Sequence, residues 1–163
     1  MLNKNPYNLC VAPMMGHTDI HFRYFLRLIS KHAMLYSEMV AVNAILHNKT
    51  SRYNKLEHNL DNPVGFQLGG DDPRKLSECA KIIESYGYDE INLNIGCPSK
   101  RAQSGNFGAC LFSQPEIVAK CVEEISKNTV LPITVKTRLG IDNLNDIKYL
   151  KEFINIVSSQ GVE

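Results

Sequence analysis

Glu90-Ile91-Asn92-Leu93-Asn94-Ile95-Gly96-Cys97-Pro98-Ser99 reads as a buried strand that ends in a glycine turn and presents one cysteine. Ile91, Leu93 and Ile95 fall on one face, Asn92 and Asn94 on the other. A parallel strand covered on both faces should be almost continuous Val, Ile and Leu. An unpaired amide on such a strand costs roughly 1–3 kcal/mol, so something polar must meet both. Cys97 follows at the carboxyl end of the strand, where α/β folds place their chemistry.

Two further strands repeat the pattern. Val64 to Gly69 sets Gln67 opposite Phe66 and Leu68, and Ile133 to Gly140 sets Thr134, Lys136 and Arg138 opposite Ile133, Val135 and Thr137. Gln67, Asn92, Asn94, Lys136 and Arg138 can then line one enclosed space. A lysine pointing inward needs a carboxylate or an anionic ligand. Glu38, late in a strand expected over Met34 to Val40, is the candidate carboxylate.

Strand and helix patterns alternate along the chain. Strands are expected over Asn8–Met15, Met34–Val40, Val64–Gly69, Glu90–Cys97 and Ile133–Gly140. Helices are expected over Thr18–Lys31 with Thr18 as N-cap, Val42–Arg52, Asp72–Tyr86, Gln114–Asn128 and Asn145–Gln160, and a long loop over Pro98–Gly108. Phe22, Tyr24, Phe25, Leu26 and Leu28 would face the sheet. Five consecutive βα units argue for a parallel sheet. A doubly wound sheet and a (β/α)8 barrel of the TIM type both fit, and the inward polar residues favour the barrel. Such a barrel needs about 250 residues, so the 163 residues are expected to be its first five units, from a fragment or an early-terminated product.

A net charge of +1 provides no bulk attraction to nucleic acid or membrane. Local clusters, Lys100-Arg101 or Arg23 with Arg27, must carry any RNA affinity; a solvated surface is the simpler expectation for them. No apolar run approaches the ~20 residues of a membrane span. The five cysteines lack Cys-x-x-Cys spacing, and among the five histidines only His17 and His21, four apart, could share a helix face, where surface or packing roles are expected, so no metal site is expected. An odd cysteine count without a signal peptide points to the reducing cytoplasm. Cys10, Cys79, Cys110 and Cys121 read as packing residues; only Cys97 has a loop position suited to chemistry.

Together, Val11-Ala12-Pro13-Met14-Met15 with Thr18-Asp19, Tyr36-Ser37-Glu38-Met39, Gln67-Leu68-Gly69-Gly70, the Asn92 to Ser99 stretch, Gly105 to Leu111 and Val135 to Gly140 resemble the tRNA-dihydrouridine synthases, and most closely their A branch. The resemblance covers essentially the whole chain. It implies an FMN-binding barrel, followed by a helical domain that grips tRNA, in an enzyme that reduces D-loop uridines with NADPH. Residues 1–163 would then be the N-terminal portion of the barrel, with the later units, the phosphate-binding loops and the helical domain lying outside it. Carried over by position, Ala12, Pro13 and Met14 would pass beside the flavin ring, and Gln67 and Lys136 would bond its polar edge. Asn94 and Arg138 would contact the target nucleotide, and Cys97 would be the acid; Lys100 and Arg101, a local basic cluster in the loop after Cys97, are expected as tRNA contacts from their charge. Gly16-His17 depart from the family, which commonly has an acidic residue and then a larger side chain there.

The chemistry suits these residues. Saturating uracil requires hydride at C6 and a proton at C5; with the hydride supplied by flavin, the protein must provide the acid. A cysteine thiol, ordinarily titrating near 8.5, is mostly protonated at neutral pH. A cation near the flavin's N1 and O2 stabilises the reduced, anionic ring, and the base must be flipped out of its stack to reach it. Two other expectations stand beside this one. One is a flavoprotein of the dihydroorotate or dihydropyrimidine dehydrogenase type acting on free pyrimidines, although Lys100, Arg101 and Gln103 suit a larger anionic substrate. The other is a remnant without catalysis of its own.

Overall fold

The computed structural model describes residues 9–47 and 62–162, with nothing stated for the side chain of Arg101. Its elements are β1 (Cys10–Val11), α1 (Ile20–Ile29), β2 (Met34–Tyr36), β3 (Val40–Ala41), α2 (Val42–His47), β4 (Val64–Gly69), α3 (Pro73–Ser85), β5 (Glu90–Ile95), α4 (Lys100–Ser104), a 3-10 helix (Gly108–Ser113), α5 (Pro115–Ser126), β6 (Ile133–Thr137) and α6 (Ile147–Ser158). All strand pairs are parallel, and the spatial order is β1-β2-β4-β5-β6, with β3 also on β4. The order never reverses. A doubly wound sheet needs a reversal, so the strands follow the barrel alternative and form a partial barrel.

Repeated stepping in one direction leaves the helices to pack on one another outside the strands. Leu76, Cys79, Ala80 and Ile83 of α3 are buried at helical spacing, as are Val118, Cys121, Val122 and Ile125 of α5. These stripes cover Phe66, Leu68, Ile91, Leu93 and Ile95, all 3% exposed or less. Asp72 caps α3 by accepting from the N–H groups of Arg74 and Lys75, with Pro73 at its first position, as the sequence predicts.

Several expectations are corrected. The strand over Asn8–Met15 is two residues long among the described ones, because Thr18 bends the chain back. Its hydroxyl accepts from Met14 N and donates to Met14 O, and the cap of α1 passes to Asp19, which accepts from Phe22 N. The strand over Met34–Val40 is split, because the Ser37 hydroxyl takes over as acceptor for the Gln67 N–H. β6 ends at Thr137 rather than Gly140, and the Pro98–Gly108 loop contains α4. Helix α2 is described over Val42–His47; the remainder of its expected span, to Arg52, lies outside the described residues.

Helix α1 keeps only part of its expected apolar face: Leu26 packs against the core and Phe22 is half-buried. Tyr24, Phe25 and Leu28 are 55%, 57% and 69% exposed, whereas Arg23 is buried. Arg23 donates to Thr18 O, and Arg27 donates to Ser30 O and Pro63 O. This pair clamps backbone carbonyls, with Arg23 buried and Arg27 half-buried, rather than forming a solvated cluster. Cys10, expected in the core, is exposed on β1.

Candidate active site

The cross-strand register stacks the inward residues into rows. Tyr36, Gly65 and Glu90 form the lowest, Gln67, Asn92 and Thr134 the next, and Asn94 with Lys136 the uppermost. Gly65 is required in the lowest row: a Cβ there would meet the Tyr36 ring at 2.7 Å. The ring thereby crosses β4, and its hydroxyl donates to Glu90 Oε1 at 2.7 Å. Burial, reinforced by the Glu90 carboxyl group, raises the Tyr36 phenol far above its ordinary range, so it remains a donor.

Above that row the amides pair with each other. Gln67 Nε2 donates to Asn92 Oδ1 at 2.7 Å, Asn92 Nδ2 to Thr134 Oγ1 at 2.8 Å, and Asn94 Nδ2 to Gln67 Oε1 at 2.9 Å. Asn94 Oδ1 accepts from the N–H groups of Gly96 (3.1 Å) and Cys97 (2.9 Å). The buried polar face is thus satisfied internally, which is why a strand bearing two asparagines can sit in the interior.

At the carboxyl ends of the strands this stack opens into a cavity of about 510 Å³ lined by Pro13, Met15, Met39, Phe107, Gln67, Asn94, Cys97 and Lys136 among others. Pro13, Gln67, Asn94, Cys97 and Lys136 therefore meet as expected. Ala12 and Met14 do not line it, whereas Pro13 and Met15 border it, Pro13 half-buried and Met15 58% exposed at its rim. Arg138 donates from Nε to Gly96 O at 2.8 Å and borders an adjoining groove with Pro98, Gln103 and Asp142. Lys100 is exposed and lines neither space. Glu38 does not neutralise Lys136; its carboxylate accepts from Gly16 N–H, and Lys136 has no ion-pair partner among the described residues.

Sequence reading missed the apolar wall. Met39 and Phe107 come from a strand interruption and a loop, without periodicity to mark them. Both lie against Gly69, where an added Cβ would meet the Phe107 ring at 2.9 Å and Met39 Sδ at 3.1 Å.

Cys97 is held from three sides. Its N–H is bound by Asn94, its carbonyl accepts from Ala109 N at 2.9 Å, and its thiol donates to Ser99 Oγ at 3.3 Å. The Ala109 contact depends on Gly108, whose φ is +81° and whose added Cβ would stand 2.5 Å from Cys97 O. Gly108→Ala is expected to cost about 1–3 kcal/mol through backbone strain alone and to displace the cysteine loop. Urea unfolding checks this, and a loss below about 0.5 kcal/mol, the level of an ordinary surface change, would contradict it. Burial pushes Cys121 up to about 12, with Asp71 and Asp72 adding to it, and burial also raises Cys110, which keeps both protonated.

The cavity suits a planar aromatic group with one polar edge. Pro13, Met15, Met39 and Phe107 provide apolar surface, Gln67 and Asn94 provide amides, and Lys136 provides a cation without a counterion. Its volume lies within the usual ligand-pocket range of roughly 300–1,000 Å³.

The profile of the Dihydrouridine synthase (Dus) family matches residues 10–163. A tRNA-dihydrouridine(20/20a) synthase of Synechocystis is 53% identical over 155 residues, 95% of this chain and 46% of the relative. Relatives of the same name from Salmonella typhi and Escherichia coli K12 are 51% and 52% identical, over 95% and 93% of this chain and 46% and 43% of their own length. No described helix is long and apolar enough to cross a membrane. The chain spans less than half the length of these relatives, and it belongs to the dihydrouridine synthase family.

Proposed function

We propose that this chain is the N-terminal part of the flavin-binding (β/α)8 barrel of an enzyme that reduces D-loop uridine in tRNA to 5,6-dihydrouridine, with FMN as cofactor and NADPH as reductant. The single observation that carries this is the convergence of Cys97, Asn94, Gln67 and an unneutralised Lys136 on one cavity with an apolar wall.

The residues lining this cavity would hold FMN, which when bound would supply the hydride for C6 of the uracil. Lys136 would place positive charge beside the polar edge of a bound ring, and Gln67 would offer that edge an amide. Pro13, Met15, Met39 and Phe107 hold the ring and exclude water. Cys97 delivers the proton to C5 from its thiol and is reloaded from solvent through its partly exposed loop. Asn94 and Arg138 approach the flipped base, with Arg138 in the adjoining groove beside the cavity mouth. Lys100 and Arg101 lie on α4, just past Cys97, where a tRNA backbone leaving the site would pass. A tRNA-modifying enzyme of this kind works in the cytoplasm.

Competition tests the substrate class. The intact protein, given FMN, NADPH and unmodified tRNA, is expected to form dihydrouridine at a rate that millimolar free uracil leaves unchanged. Strong inhibition by uracil, with uracil itself reduced, would establish the free-pyrimidine alternative instead. Flavin retention without reduction of either substrate would leave the remnant reading.

A further inference from the structure

The interior hydrogen bonds form one continuous chain with a fixed sense. Glu90 Oε1 accepts from the hydroxyls of Tyr36 and Thr134. Because Thr134 gives its proton to Glu90, its oxygen is left to accept from Asn92 Nδ2. Asn92 must then turn Oδ1 toward Gln67, which answers with Nε2 and turns Oε1 toward Asn94. Asn94 answers with Nδ2, so Oδ1 is the atom left facing the N–H groups of Gly96 and Cys97.

Each amide in this series could be reversed by a half-turn of its side chain, exchanging donor for acceptor. Reversal is blocked at the Cys97 end, because a backbone N–H donates and does not accept, and at the other end two hydroxyls converge on Glu90 Oε1 as their acceptor. The series runs from the amino-terminal end of the sheet to the loop carrying Cys97. Gln67, Asn92 and Thr134 are register partners on three adjacent strands, so the relay passes across the sheet as well as along it. Gln67 and Asn92 are 2% and 5% exposed, and Glu90 is 6% exposed. Water therefore has little access to substitute for a lost partner.

We propose that Glu90, Thr134 and Asn92 are positioning residues: they set the donor–acceptor sense of a hydrogen-bonded relay that orients the Gln67 amide in the cavity and locks the backbone of Cys97. None of the three lines the cavity. They act through Gln67 and Asn94, as a fixed dipole series directed at the site. The importance of the relay for catalysis rests on the reading of Cys97 as the acid; its existence does not.

Thr134→Val in the intact protein separates the two. Valine is close in shape but can neither donate to Glu90 nor accept from Asn92. Asn92 then either leaves its donor unpaired or reverses, and reversal would carry through Gln67 and turn the Asn94 amide nitrogen against two N–H groups. Amide hydrogen exchange is read at Gly96 and Cys97, together with the rate of Cys97 alkylation by iodoacetamide resolved by peptide mass spectrometry. Exchange at these two amides is expected to rise about tenfold, the equivalent of one lost buried hydrogen bond. Alkylation of Cys97 should accelerate with it, while exchange in α3 and α5 stays unchanged. Thr134→Ser keeps the hydroxyl and should restore wild-type behaviour. If the valine protein does not fold, Thr134→Ala removes the hydroxyl without an added methyl and carries the same expectation. Three outcomes would overturn the proposal: unchanged exchange at Gly96 and Cys97, a uniform increase over the whole chain, or a serine variant that behaves like valine. Failure of Cys97 as the acid would instead appear as continued dihydrouridine formation without the thiol, a result that leaves the exchange pattern intact.

Discussion

Cys97→Ala in the intact protein is expected to lower dihydrouridine formation by about 10²–10⁴-fold, the usual contribution of a positioned acid, while oxidation of NADPH in the same preparation continues. The two halves of the reaction separate because Cys97 provides only the proton. The cavity wall of Pro13, Met15, Met39 and Phe107 and the polar groups of Gln67 and Lys136 are untouched by the substitution. Removing the thiol deletes its bond to Ser99 but leaves the backbone restraints from Asn94 and Ala109, so the loop should keep its course. Cys97→Ser should fall between alanine and wild type, because a hydroxyl occupies the same place but is a far weaker acid. The measurement is dihydrouridine content of tRNA from a strain whose other synthases are deleted, alongside NADPH oxidation by the purified protein. Wild-type dihydrouridine in the Cys97→Ala strain would sink the assignment of the acid.

Phe112→Ala is expected to be the most destabilising single truncation in the described core, at about 3–5 kcal/mol. Phe112 is fully buried in the 3-10 helix. Its ring lies 4.8 Å from that of Phe153 and 5.4 Å from that of Tyr149, and the Tyr149 hydroxyl donates to Phe112 O at 3.0 Å. One side chain thus fastens α6 to the segment that begins at Gly108 and supports Cys97 through Ala109. Against a total stability of about 5–15 kcal/mol, the loss is a large fraction of what holds a domain folded. Thermal unfolding followed by circular dichroism should show the midpoint falling by roughly 10 °C. A fall of under about 2 °C would mean that the neighbouring helices collapse into the space and that the aromatic cluster is not a keystone. Phe112→Leu should recover more than half of the loss, because most of the buried volume returns.

Features that depend on local periodicity and turn chemistry were legible in the residues. Asp72-Pro73 announced a helix start, and Gln67, Asn94 and Lys136 announced an inward polar face by alternating with Val, Ile and Leu. Parallel pairing holds such alternation in place, because a slip by one residue would turn every side chain to the wrong face. Helix α1 was misjudged for the opposite reason. An apolar stripe states which residues would favour burial but not whether a neighbour exists to bury them, and in this structure Arg23 faces inward while Phe25 and Leu28 face out. Thr18 was misassigned because a threonine at a chain reversal can cap a helix or close the preceding turn, and only the position of Met14 selects between them.

The residue pattern alone was enough to establish a parallel βα repeat, the inward row of amides and the cysteine at a strand end, since each follows from side-chain spacing along one segment. Long-range geometry chose the rest. The absence of a reversal in strand order separates a barrel from a doubly wound sheet, and that order exists only between strands. Glu38 bonds Gly16 and leaves Lys136 uncompensated, because the interruption after Tyr36 carries the carboxylate toward the turn at Thr18. Met39 and Phe107 form the cavity wall because Gly69 lets both approach. The relay from Glu90 to Cys97 joins three strands through side chains far apart in the chain, and its sense is a property of hydrogen-bond complementarity in three dimensions that no single segment encodes.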